Sequence, residues 1–264
     1  MNILQALVLG AFQGVAEFLP ISSSGHLALL KTVMQLQEVP QLFDIILHVA
    51  TLLSILVVFR KRVGAIIVSL FRWVTRNSGD PDRENLAIVL PALLATVLTA
   101  GLGLAIQKLD LPASPLLVGI CFLVTAALLI STSFARGKLE FRQFGWKQGL
   151  ITGLAQGVGV LPGISRSGIT ISAGLASGMS RSTAGEFSFL LAIPAIAGAL
   201  LLELGDLGEL AGTVSLPALV LGALAAFLVG ILALLILMPI VRKGKLAWFA
   251  LYLVPAGLVS IFLL

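Results

Sequence analysis

The stretch Gln13-Gly14-Val15-Ala16-Glu17-Phe18-Leu19-Pro20-Ile21-Ser22-Ser23-Ser24-Gly25-His26 places an acid, an imidazole and three consecutive hydroxyls inside an apolar N-terminal region. Pro20 and Gly25 break the helical pattern and Ser22 to Ser24 are poor helix formers, so residues 1–40 cannot form one clean spanning helix. Two short helices meeting at residues 20–25, a re-entrant hairpin, satisfy the sequence instead. Non-helical backbone at membrane depth is tolerated only where it is buried in protein or lines a wet cavity, so the hairpin reads as the wall of a site. A near copy follows: Gln156-Gly157-Val158-Gly159-Val160-Leu161-Pro162-Gly163-Ile164-Ser165-Arg166-Ser167-Gly168. Aligned without a gap, the copies agree at Gln, Gly, Val, Ile, Ser, Ser and Gly.

The chain of 264 residues has only 11% charged residues and 58% hydrophobic ones. That is too little polar surface for a water-facing domain, where about a quarter of residues are charged, and it predicts an integral membrane protein. The formal charge of +5 does not indicate nucleic acid, because the basic residues sit in short loops between apolar spans. The lone Cys121 excludes an intrachain disulfide and reads as a small buried hydrophobe. The N-terminus lacks the basic region of a secretory signal and is expected to stay in the mature protein.

Six spans are expected, at 43–59, 86–106, 116–134, 187–202, 217–238 and 246–264, with an amphipathic surface helix near 66–74. The loops after the first, third and fifth spans carry Arg60, Lys61, Arg62, Arg72, Arg76, Arg83, Arg136, Lys138, Arg142, Lys147, Arg242, Lys243 and Lys245, thirteen of the 17 Lys and Arg. The positive-inside rule makes that side cytoplasmic, and Glu38, Asp110, Glu203, Asp206 and Glu209 fall on the other. The expected architecture is therefore a single all-α membrane domain, 1–264. Each half is one re-entrant hairpin plus three spans: 1–135 with hairpin 1–40, and 136–264 with hairpin 148–182. Three spans is an odd number, so the halves form an inverted-topology repeat with hairpins entering from opposite faces. Broken segments at corresponding places in inverted halves point to a site near the midplane.

The copies differ where charge matters. Glu17 aligns with Val160, Ser23 with Arg166 and His26 with Ile169. Arg166 keeps its charge when buried, and its planar fork suits phosphate. Around it Gly163, Ser165, Ser167, Gly168 and Thr170 supply N–H groups and hydroxyls at an expected helix start, a favourable setting for an anion. Gln13 and Glu17 lie four apart on one helix face. Three roles are open to Glu17: ligand of a divalent cation, acid or base, and counter-ion of Arg166. His26 suits a base, an acid or a covalent nucleophile. Ser22 and Ser24 are as readily helix caps and packing residues as ligands of substrate, and His48 is read as structural. Asp44 and Glu186 read as interfacial, Lys31 and Arg181 as interface anchors, with a near-site role also open to Arg181.

These motifs resemble the undecaprenyl-pyrophosphate phosphatase family of the bacitracin-resistance type. Residues 13–26 resemble its first signature, residues 162–170 its second, and residues 186–194 the helix that follows. The resemblance spans essentially the whole chain. It implies conversion of undecaprenyl pyrophosphate to undecaprenyl phosphate, recycling the lipid carrier for cell-wall synthesis, in the bacterial plasma (inner) membrane with the site facing the periplasmic side. It also implies a supporting divalent cation, Mg2+ or Ca2+. The family's acidic pair falls on Gln13 and Glu17, its serine and histidine on Ser23 and His26, its arginine on Arg166, and its phosphate-site hydroxyls on Ser165 and Thr170. Having Gln at position 13 leaves one acid fewer, so any metal leans on Glu17 and the substrate's own oxygens. Ser23 and His26 both stand as nucleophile. The expected partners are the lipid substrate and membrane lipids, without nucleic acid; a homodimer is compatible with the sequence, which does not define the oligomeric state. Composition and inverted repeats also suit a transporter or a lipid flippase, which would release no phosphate. A purely structural scaffold leaves Glu17, His26 and Arg166 together without a purpose.

Overall fold

The computed structural model describes residues 1–36, 39, 41–109, 111, 113–203 and 214–263. Of the residues singled out in the sequence, Glu38, Asp110, Asp206 and Glu209 lie outside the described residues, as do the side chain of Glu203 and the last residue of the expected span 246–264. The regular elements among the described residues are helices, with one isolated parallel bridge between Leu139 and Met179. In chain order they are α1 (Ile3–Phe18), α2 (Ser23–Val33), α3 (Gln41–Val58), α4 (Arg60–Val74), α5 (Arg83–Gln107), α6 (Pro115–Ser131), α7 (Trp146–Val158), α8 (Arg166–Ala176), α9 (Arg181–Glu203), α10 (Leu216–Arg242) and α11 (Ala250–Phe262).

Among the described residues four stretches are long and apolar enough to cross a membrane: Asp80–Gln107, Pro115–Phe134, Arg181–Leu202 and Leu216–Arg242. A fifth arises if α3 and α4 count as one span, but they meet at a bend of 79°. α4 exposes Ile67, Val68, Phe71, Trp73 and Val74. The segment Leu246–Phe262 is apolar and shorter, opening with a 3-10 turn before α11. The expected span at 187–202 begins earlier, at Arg181, because Ser180 receives the Thr183 N–H and starts the helix there. Glu186 consequently lies inside α9 and pairs with Arg62 at 2.9 Å. Arg62 also donates to Glu84 and Asn85, tying α4, α5 and α9 together.

Small residues set the helix packing. A Cβ on Gly14 of α1 would lie 2.7 Å from the Ala226 carbonyl oxygen of α10 and 2.9 Å from the Gly230 nitrogen. α7 meets α5 in the same manner. A Cβ on Gly149 would fall 2.7 Å from the Pro91 Cα, and one on Gly153 2.9 Å from the Ala95 carbonyl oxygen. α6 and α11 meet at Gly119 and Gly257. Close backbone approach is how helices associate where no water drives them together. The first helix of each polar stretch thus packs on a long helix from the other half of the sequence.

Candidate active site

The tip of the first hairpin forms because Phe18 ends α1, Leu19 turns extended, and Ser22 (φ 71°) starts α2. Ser22 caps α2 by accepting the Gly25 N–H at 3.3 Å. A non-glycine residue at positive φ is costly and persists only where its surroundings hold it. At the second tip Gly163 adopts φ 95°, and Ser165 caps α8 by accepting the Gly168 N–H at 3.1 Å. The tips touch. Ser167 donates to the Phe18 carbonyl at 3.1 Å, and a Cβ on Gly25 would lie 2.8 Å from the Gly163 Cα.

Glu17 is the centre of the polar contacts. It is 7% exposed and lies on the last turn of α1. Its Oε2 accepts from Ser23 Oγ at 2.7 Å and from Gln13 Nε2 at 3.0 Å, and lies 3.3 Å from His48 Nε2. Its Oε1 forms an ion pair with the Arg166 guanidinium. A buried carboxylate needs such compensation, and here one hairpin supplies the acid and the other the cation. A cavity of ≈ 10 Å³ adjoins the pair, lined by Glu17, Phe18, Ile55, Arg166, Ser167, Ser188, Phe189 and Ala192. It has room for about one water, so a pyrophosphate requires the walls to part.

The hydroxyls of the second copy are engaged in structure. Ser165 caps α8 and lies 3.3 Å from Ser167, and Thr170 bonds Ser188 at 2.5 Å and the Arg166 carbonyl at 2.7 Å. The Arg166 and Ser167 N–H groups open α8 and have no intrahelical acceptor. Ser22 and Ser24 lie 3.5 Å apart, with Ser24 exposed.

His26 is placed differently from the other predicted groups. Its Nδ1 donates to the Ser22 carbonyl at 2.9 Å, which leaves Nε2 to accept from the Tyr252 hydroxyl at 2.7 Å. Its ring stacks on Phe122 and Tyr252 and lies tilted against Phe12. Gln13, Glu17, Ser23 and Arg166 are therefore joined by direct contacts, while His26 belongs to a neighbouring aromatic box. Arg181 begins α9 and shares a surface cleft with Arg136 and Lys138.

The sequence reads His48 as structural and offers no pattern that selects Tyr252 or Ser188. Tyr252 is the single tyrosine of the chain, which was the only signal available for it. Ser188 lies within residues 186–194, a segment noted only for its resemblance.

The model of the family described as bacitracin resistance protein BacA matches residues 6–259. This chain belongs to that family. It is 45% identical over 98% of its length to the undecaprenyl-diphosphatase of Treponema denticola, covering 96% of that protein. The undecaprenyl-diphosphatase of Desulfosudis oleivorans is 43% identical, with 100% of this chain and 99% of the relative covered. That of Korarchaeum cryptofilum is 41% identical over the full length of both.

Proposed function

We propose that this BacA-family chain hydrolyses undecaprenyl pyrophosphate to undecaprenyl phosphate and inorganic phosphate, recycling the lipid carrier for peptidoglycan synthesis and conferring bacitracin resistance. Family membership and the three relatives support the substrate and the reaction. The observation that carries the mechanism is the hydrogen bond from Ser23 Oγ to Glu17 Oε2 at 2.7 Å.

In this reading Arg166 leaves Glu17 for the incoming pyrophosphate, with the first N–H groups of α8 beside it. A guanidinium fork and a helix N-terminus both favour phosphate oxygens. Glu17, relieved of its counter-ion, takes the proton of Ser23 as Oγ attacks the terminal phosphorus. The anhydride P–O bond breaks, undecaprenyl phosphate leaves, and water then releases phosphate from Ser23. His26 serves the reaction less directly, because Tyr252 occupies its Nε2 lone pair.

The donor set fits a hard divalent cation, Mg2+ or Ca2+, through oxygen. Gln13 Oε1 is buried without a hydrogen-bond partner, one helical turn from the Glu17 carboxylate. Glu17 and Gln13 would hold the ion, which when bound would neutralise charge on the pyrophosphate. No group of three His, Cys, Asp or Glu gathers among the described residues, so substrate oxygens would complete its shell.

We place the protein in the plasma membrane as an inverted repeat of two hairpins and six spans, with the basic loops cytoplasmic and the catalytic site opening outward. The exchange of hairpin helices, α1 onto α10 and α7 onto α5, supports the repeat. The deciding experiment measures phosphate release from a prenyl pyrophosphate by purified protein in detergent. Release by the wild type, its loss in Ser23→Ala, and trapped phosphate on Ser23 are expected. No release would leave a transporter or flippase, and phosphate on His26 would overturn the assignment to Ser23.

A further inference from the structure

His48 lies on α3, outside both polar stretches, yet it contacts the centre of the site. Its Nδ1 donates to the Asp44 carbonyl one turn earlier at 2.7 Å, which fixes the ring against the axis of α3. Its Nε2 then lies 3.3 Å from Glu17 Oε2. Asp44 is itself held by Lys31 of α2 at 2.8 Å, so α2 and α3 are tied where the ring is anchored. Lys31, Asp44, Glu17 and Arg166 are the charged groups around this imidazole.

We infer that His48 is a positioning residue for Glu17: with a carbonyl facing Nδ1 and a carboxylate facing Nε2, the ring satisfies both as the imidazolium, which holds Oε2 toward Ser23 while Arg166 is away on the phosphate. This rests on Glu17 acting as the base. Two supports keep Glu17 in place before substrate binds, Gln13 from its own helix and Arg166 from α8. Once Arg166 turns to the substrate, Gln13 alone would leave a buried carboxylate with one fixed donor besides its proton source. His48 supplies a second from a helix that carries no phosphate ligand. A base displaced from its proton by a fraction of an ångström loses rate without losing substrate affinity.

The test compares His48→Leu, which removes the donor at similar volume, with His48→Gln, which restores an N–H at similar reach. Both are purified in detergent and assayed with a prenyl pyrophosphate. His48→Leu is expected to lose kcat by about 10–100-fold with KM within about threefold, and His48→Gln to recover most of that loss. Wild-type kcat in His48→Leu would overturn the inference, as would equal damage in both variants at equal thermal stability, which marks a packing role. Should His48→Leu fail to fold, His48→Met takes its place, since it spans the site without a donor. Absence of phosphate release in the wild type itself would count against the catalytic reading of Glu17, separately from the role of His48.

Discussion

At the scale of single residues the buried Glu17–Arg166 ion pair should weigh on stability and, in the proposed mechanism, on activity. Each charge is buried largely for the sake of the other, so removing one strands its partner. Arg166→Met should destabilise the protein by about 3–5 kcal/mol, whereas Glu17→Gln/Arg166→Met should recover much of that loss while remaining inactive. Thermal melts of the four-member cycle in detergent measure this. A double variant no more stable than Arg166→Met would show that the pair is not coupled. Glu17, Ser23 and Arg166 could be singled out in the sequence because ionisable groups and serine runs stand out against apolar neighbours. Their partners could not. Glu17 meets His48 across a helix boundary, and His26 meets Tyr252 at a separation of 226 residues. Neither pairing leaves a local pattern, and a lone histidine or tyrosine on an apolar helix has many structural explanations.

At the scale of elements, the broken helices were legible because Pro20, Gly25 and Pro162-Gly163 interrupt apolar runs. The span count was less so. The 3.6-residue period does not say where a helix bends, and the turn of 79° between α3 and α4 falls at Phe59, directly before a run of basic residues that reads only as a stop. Nor does hydropathy reveal which glycines face another backbone. Gly14 and Gly64 both lie inside helices, yet a Cβ at Gly14 collides with α10 and one at Gly64 meets nothing within 4 Å. Gly14→Val should therefore prevent α1 from seating, lowering folded yield and abolishing phosphatase activity. Gly64→Ala should raise stability by about 0.5–1 kcal/mol, the backbone-entropy gain of alanine over glycine in a helix. Size-exclusion profiles and melting temperatures in detergent distinguish the two; equal tolerance at both positions would contradict the packing of α1 on α10.

At the scale of the whole molecule, the proposed orientation and the exchange of hairpins lead to separate tests. In a Cys121→Ser background, cysteines at Lys61 and Lys243 should react with an impermeant maleimide only after the cytoplasmic face is opened, and one at Ala113 should react on intact cells. Labelling of all three from outside would reverse the topology. The exchange has a further consequence for folding. α1 finds its glycine-fitted partner in α10, α7 in α5, and Glu17 finds Arg166 across the same boundary. Residues 1–135 alone would leave Glu17 without its cation and α5 without α7, and residues 136–264 alone would leave α10 without α1. In lipid an uncompensated buried charge is costly and small-residue helix faces gain little without a partner. The two fragments expressed separately should be degraded or inactive, and co-expression should restore prenyl-pyrophosphate phosphatase activity in membranes. Activity from either fragment alone would mean that one hairpin holds a complete site. Stable but inactive co-expressed fragments would mean that the covalent link between the halves, not their packing, brings Arg166 to Glu17.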